Sequence, residues 1–153
     1  MIEKHESVLY KLAKKLNQAK IKWSLGGSLL LFYLGYDIIP HDIDLLVDEL
    51  QKDILEETIQ EYNYILEGKN PKYSTSYFYS LTIDSIEVDI MLGFKVNTDH
   101  GIYVYPFDNQ HIKTIYLKDE PIYLSDLNEW VKAYKKMNRL DTVNFIEKGK
   151  SNL

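Results

Sequence analysis

Asp42 and Asp44, separated only by Ile43, are the residues whose type and spacing point most directly to chemistry. Side chains alternate faces along a strand, so both carboxylates point one way and Ile43 the other. Carboxylates held side by side repel one another unless a cation lies between them, which makes a divalent metal the first expectation. A second group, Gly26-Gly27-Ser28, stands just upstream, before the apolar run Leu29-Leu30-Leu31. A glycine turn at a helix start allows close backbone approach and offers free N–H groups suited to phosphate. Metal beside phosphate is the constellation of phosphoryl or nucleotidyl transfer.

The elements that must position these groups are legible around them. Trp23-Ser24-Leu25 reads as a short strand, 29–34 as a helix buried all round with Ser28 as its N-cap, and 42–47 as the acid-bearing strand. Pro40 keeps Ile39 extended and makes 37–41 a connection. Upstream, Val8, Leu9, Leu12, Ala13 and Leu16 recur at helical spacing and predict an amphipathic helix over 2–20. Downstream, 48–62 reads as a helix with Leu50, Ile54, Leu55 and Ile59 on one face. A short strand at 64–66 and a loop at 67–72 follow. Residues 73–83 and 86–92 form a hairpin turning at Asp84-Ser85. On its return strand Glu87 and Asp89 share one face, and Ile86, Val88 and Ile90 the other.

Strands are expected at 102–105 and at 111–117, the latter alternating around Ile112, Thr114 and Tyr116, with an extended piece at 121–124. Ser125 would cap a helix through 137, with Asp126 and Glu129 early and Lys132, Lys135 and Lys136 late, a polarity that complements the helix dipole. A last helix is expected over 140–148, ending at Gly149.

The chain has 153 residues, enough for one domain with a real core. No cysteine is present, which excludes disulfides and thiolate metal sites. Apolar content of 45%, charged content of 27% and a formal charge of -5 suit an ordinary globular protein, with no broad nucleic-acid footprint. The charged N-terminus lacks a signal-peptide core, and the longest uncharged run of the first half is too short to span a bilayer, so a cytoplasmic location without membrane contact is expected.

Leu25-Gly26-Gly27-Ser28, then Asp42-Ile43-Asp44, then Val88-Asp89-Ile90 resembles the signature of the nucleotidyltransferase superfamily, whose fold is like the catalytic core of DNA polymerase beta. The tail, Leu124-Ser125-Asp126-Leu127, Lys132 and Arg139-Leu140-Asp141, is similar to the helical end of small bacterial members. Those include lincosamide-type antibiotic nucleotidyltransferases and the nucleotidyltransferase-like partners of toxin–antitoxin pairs. The resemblance implies an α/β (α+β) fold, a mixed sheet with helices packed on it and two C-terminal helices. It implies one domain over 1–153, with 1–120 as catalytic core and 121–153 as a helical appendage.

It also implies roles. Asp42, Asp44 and Asp89 would hold two magnesium ions, with manganese as a substitute, and an acid at 89 would take the proton of the acceptor hydroxyl. Glu87 competes with Asp89 for that third position. Gly26, Gly27 and Ser28 would bind the nucleotide through its phosphates. The reaction would pass a nucleoside monophosphate from a triphosphate such as ATP to a hydroxyl of a small molecule, releasing pyrophosphate.

Many small members carry Arg-x-Thr before the paired acids, where this chain has Ile38-Ile39-Pro40-His41. The missing cation would then come from His41, Lys132 or Lys136. A homodimer would complete the acceptor site of so short a chain. Two alternatives stand beside the enzyme: an antitoxin-like or regulatory protein acting on a partner protein, and a catalytically inactive binding module. Tyr73, Tyr77 and Tyr79 could stack on a base or simply fill a half-buried strand. His5, His100 and His111 read as surface residues.

Overall fold

Five apolar residues at helical spacing, Val8, Leu9, Leu12, Ala13 and Leu16, are all buried in the computed structural model, which describes residues 2–151. They form one face of α1 (Ile2–Gln18). The expected end at 20 comes two residues early, because Lys20 turns left-handed and Ile21 bonds back to the Leu16 carbonyl. The chain then runs β1 (Trp23–Gly26), α2 (Gly27–Tyr33), β2 (Ile43–Val47), α3 (Lys52–Ile59), β3 (Ile65–Leu66), β4 (Tyr77–Ile83) and β5 (Ile86–Leu92). It continues through β6 (Lys95–Thr98), β7 (Gly101–Val104), β8 (Lys113–Leu117), β9 (Glu120–Leu124), α4 (Leu127–Lys136) and α5 (Leu140–Ser151).

Seven strands form one mixed sheet in the order β3-β4-β5-β2-β1-β9-β8, and β6 and β7 make a separate hairpin. β2 lies parallel to β5 and antiparallel to β1, and β9 lies parallel to β1. The sheet therefore continues past residue 120, and helix resumes only at Leu127. Ile43, Leu45 and Val47 alternate with Asp44 and Leu46, and Val88, Ile90 and Leu92 alternate with Asp89 and Met91. The first of these faces is wholly buried, and it belongs to the same core as the apolar residues of α1, α2 and α3. The hairpin between β4 and β5 turns at Asp84 and Ser85, both with positive φ (50° and 70°), as a two-residue type I′ turn requires.

Several expectations are corrected. The segment 48–62 is not one helix, because 3-10 turns at Glu49–Gln51 and Gln60–Tyr62 flank α3. The helical phase is lost at the first turn, which leaves Leu50 89% exposed, while within α3 Leu55 and Ile59 are buried and Ile54 is 37% exposed. β4 begins at Tyr77, and Tyr73 instead bridges Asn70 and Val96. β8 is an edge strand whose packed residues are Ile115 and Leu117, leaving Tyr116 exposed, so the alternation is offset by one. Asp126, not Ser125, caps α4 through Asn128 N–H, because Ser125 is buried against Ser24 with Oγ–Oγ 2.7 Å. α5 passes through Gly149 without ending. No helix among the described residues is long and apolar enough to cross a membrane.

Candidate active site

Strand pairing sets Gly26, Asp44, Asp89 and Ser80 in one row across β1, β2, β5 and β4. Gly26 pairs with Asp44, Asp44 with Asp89, and Asp89 with Ser80. Paired residues share a face, so all four look the same way. Glu87 shares that face but pairs with Thr82, so Asp89 is the register partner of Asp44. Asp42 lies one residue before β2.

The row concentrates negative charge. Burial, then Asp89 and then Asp42 push the Asp44 carboxyl up to about 7, and Arg139 pulls against them. Burial, then Asp42 and Glu87 push Asp89 up to about 6, opposed by a hydrogen bond from Ser80. Cation-free, these carboxyls hold protons well above the ordinary carboxylate range.

The glycine turn is shaped by its neighbours. Gly27 has φ +65°, and a Cβ there would stand 2.0 Å from Asp44 Oδ2. Only glycine combines that backbone with such an approach of the carboxylate. A Cβ on Gly26 would stand 1.9 Å from Cζ2 of Trp130, so this glycine admits an indole from α4. α2 starts at Gly27 with Gly26 as N-cap and no side-chain cap, which corrects the expectation that Ser28 is the cap. The Ser28 hydroxyl instead accepts the His41 backbone N–H at 2.9 Å. His5 Nε2 bonds the His41 carbonyl at 2.6 Å, so the backbone just before Asp42 is held on both sides. His5 thus has a structural task, while His100 and His111 are exposed.

Arg139 is the residue that sequence reasoning passed over in seeking a cation. It is the only arginine of the chain, which was the available signal. It follows α4, stacks over Tyr134 at 5.2 Å, and its charge is felt by Asp44. Of the cations named from sequence, Lys132 is ion-paired with Glu129 at 3.2 Å, and Lys136 lines a cleft with Arg139. That cleft holds about 620 Å³, and Lys72 and Lys135 make it basic. A second cleft of about 880 Å³ opens beside Asp89 and Ser80, with Glu67, Ser74 and Phe78 on its walls. Tyr73 lines both clefts. Tyr79 is fully buried with its hydroxyl donating to Glu56, and Tyr77 packs under Lys52, so neither is placed to stack on a base in these clefts.

Among the described residues, no three His, Asp or Glu side chains converge closely enough to cage a metal ion unaided. Magnesium does not need such a cage, since it commonly takes one or two carboxylates and completes its shell with phosphate oxygens and water. Two opposed carboxylates whose charge is uncompensated fit that mode of binding.

The model of the aminoglycoside-2''-adenylyltransferase family matches residues 8–134. Among solved structures, a candidate nucleotidyltransferase from Thermotoga maritima superposes with TM-score 0.77 at 22% identity, over 100% of this chain and 96% of that one. The antibiotic-resistance factor ANT(2'')-Ia, in complex with adenylyl-2''-tobramycin, gives 0.61 at 10% identity over 93% and 87%. The lincosamide antibiotic adenylyltransferase LnuA, lincomycin-bound, gives 0.55 at 15% identity over 88% and 95%. These likenesses establish the nucleotidyltransferase fold. No curated protein matches the sequence.

Proposed function

The chain belongs to the aminoglycoside-2''-adenylyltransferase family, and on that premise we propose that it is a metal-dependent nucleotidyltransferase. It would transfer a nucleoside monophosphate, from ATP by analogy with its family, to a hydroxyl of a small molecule. The observation that carries this reading is the row Gly26–Asp44–Asp89–Ser80, with a cleft opening at Asp89 and a basic cleft lined by Arg139, whose charge acts on Asp44. Asp42, Asp44 and Asp89 would hold the magnesium ions, which when bound neutralise the triphosphate oxygens and the departing pyrophosphate.

The protein's own residues divide the remaining work. Gly27 N–H and the Ser28 hydroxyl proton would hold outer phosphate oxygens, since the Ser28 oxygen already accepts from His41. Arg139, whose guanidinium lies 5.2 Å from the centre of the Tyr134 ring, would bind phosphate and supply the charge absent before Asp42. The acceptor would lie in the cleft at Asp89. Its hydroxyl oxygen forms the new bond to the α-phosphorus as the bond from that phosphorus to the pyrophosphate oxygen breaks. Asp89 would take the hydroxyl proton.

Calorimetric titration of α,β-methylene-ATP with magnesium, on wild type and on Asp44→Asn, tests the reading. Magnesium-dependent binding that collapses in the variant supports it and justifies an acceptor screen beginning with tobramycin and lincomycin. No binding of any nucleoside triphosphate to wild type would overturn it.

A further inference from the structure

Trp130 is 3% exposed, and its Nε1–H has no hydrogen-bond partner among the described residues. The side chain is fixed on several sides. Phe94 stacks on it at 5.7 Å, and Tyr134 and Tyr105 lie 5.5 and 5.9 Å away. It also packs on the glycine turn: Cε2, the atom that carries Nε1, comes within 2.3 Å of where a Gly26 Cβ would be. A rigid, dry aromatic cluster thus holds an unpaired donor against the strand end that pairs with Asp44. Buried polar groups left unpaired are rare and costly, and the cost is recovered when a partner arrives. An indole N–H can only donate, so its partner must be an acceptor.

We infer that the Trp130 indole N–H donates to a phosphate oxygen of the bound nucleotide, making Trp130 a ligand-positioning residue seated through Gly26. The inference rests on the nucleotidyltransferase reading above. Phosphate is the acceptor the surroundings favour. The adjacent turn offers N–H groups at Gly27 and Ser28, and the positive charge of Arg139 acts on Asp44, the register partner of Gly26. Tyr134, which touches the indole, also carries the Arg139 guanidinium, so both donors hang on one element and its turn.

The test uses Trp130→Phe, which keeps an aromatic ring and removes the donor. The chain has two tryptophans, so nitrogen-15 spectra of wild type show two indole signals, and the variant assigns them. On adding magnesium and α,β-methylene-ATP, the Trp130 signal should move downfield while that of Trp23, bonded to Asn17, stays in place. Magnesium tripolyphosphate, which lacks base and sugar, should move it too. The variant should bind the nucleotide about tenfold more weakly, while its melting temperature without ligand is equal to or above that of wild type. A still Trp130 signal in a protein that binds nucleotide would overturn the inference, as would unchanged affinity in the variant. A shift with the nucleotide but not with tripolyphosphate would overturn the assignment to phosphate. Absence of nucleotide binding in wild type would instead remove the underlying functional reading. Should the variant fail to fold, Trp23→Phe assigns the Trp130 signal and the wild-type titration decides.

Discussion

Asp44 and Asp89 are register partners on parallel neighbouring strands, one strand spacing apart and facing the same way. A protein rarely places two partly buried carboxylates in this relation without using them, because each ionisation makes the next harder. The pair, and what surrounds it, yields the following expectations.

The metal-free protein should lose stability as pH rises. Folding raises the proton affinity of Asp44 to about 7 and of Asp89 to about 6, so the native state binds more protons than the unfolded chain above the ordinary carboxylate range. Their favourable contribution is complete only below the ordinary carboxylate value of 3.8 and is lost as the pH rises from there through those two values. The melting-temperature contribution of this pair should therefore fall from about pH 4 to about pH 7 in the presence of chelator. Asp44→Asn should flatten that fall and raise the melting temperature at the alkaline end. A wild-type profile as flat as the variant's would contradict the electrostatic account.

Gly27→Ala should be among the most damaging single changes. It forces a side chain onto φ +65° and into the Asp44 carboxylate. A loss of about 2–4 kcal/mol is expected from strain and displacement together. Denaturant unfolding measures the loss, and calorimetry should show magnesium-dependent nucleotide binding gone in whatever fraction remains folded.

Arg139→Gln should weaken nucleotide binding about 10–100-fold, the range for a charge-assisted contact to phosphate. Stability should change little, since the guanidinium stacks on Tyr134 and is in no ion pair among the described residues. Unaltered affinity in titration would return the search for the phosphate cation to Lys136 and its neighbours.

Asp89→Asn should separate chemistry from binding. Turnover should drop by ~10²–10⁴, the usual worth of a positioned base. Nucleotide affinity should suffer far less than in Asp44→Asn. Equal loss of affinity in the two variants, seen by titration, would show that both carboxylates serve metal binding alone.

How much of this was legible in the sequence depended on how local the cause was. The strand, glycine turn and short helix around Gly27 follow from a few adjacent residues. So does the alternation of Asp89 with Val88 and Ile90. The register that brings Asp89 rather than Glu87 opposite Asp44 is a pairing between distant strands, and periodicity alone left both acids open. Ser125 looked like a cap because its type suits one, yet burial against Ser24 claimed its hydroxyl and left the role to Asp126. Leu50 misled because a 3-10 turn breaks the helical period on which the reading relied. Trp130 reaches the turn, and the charge of Arg139 reaches Asp44, only through the way α4 and the residues after it pack in space, which no spacing along the chain reveals.

The topology also fixes when the site can come into being during synthesis. Asp44 meets Asp89 only after α3, β3 and β4 have been made and β5 has paired beside β2. Trp130 and Arg139 are made later still, beyond β9, which pairs with β1. A nascent chain therefore carries its repelling acids, without the indole and guanidinium that accompany them, until α4 and Arg139 have been made. Competence for nucleotide should accordingly appear in one late step, not build up gradually as the chain lengthens.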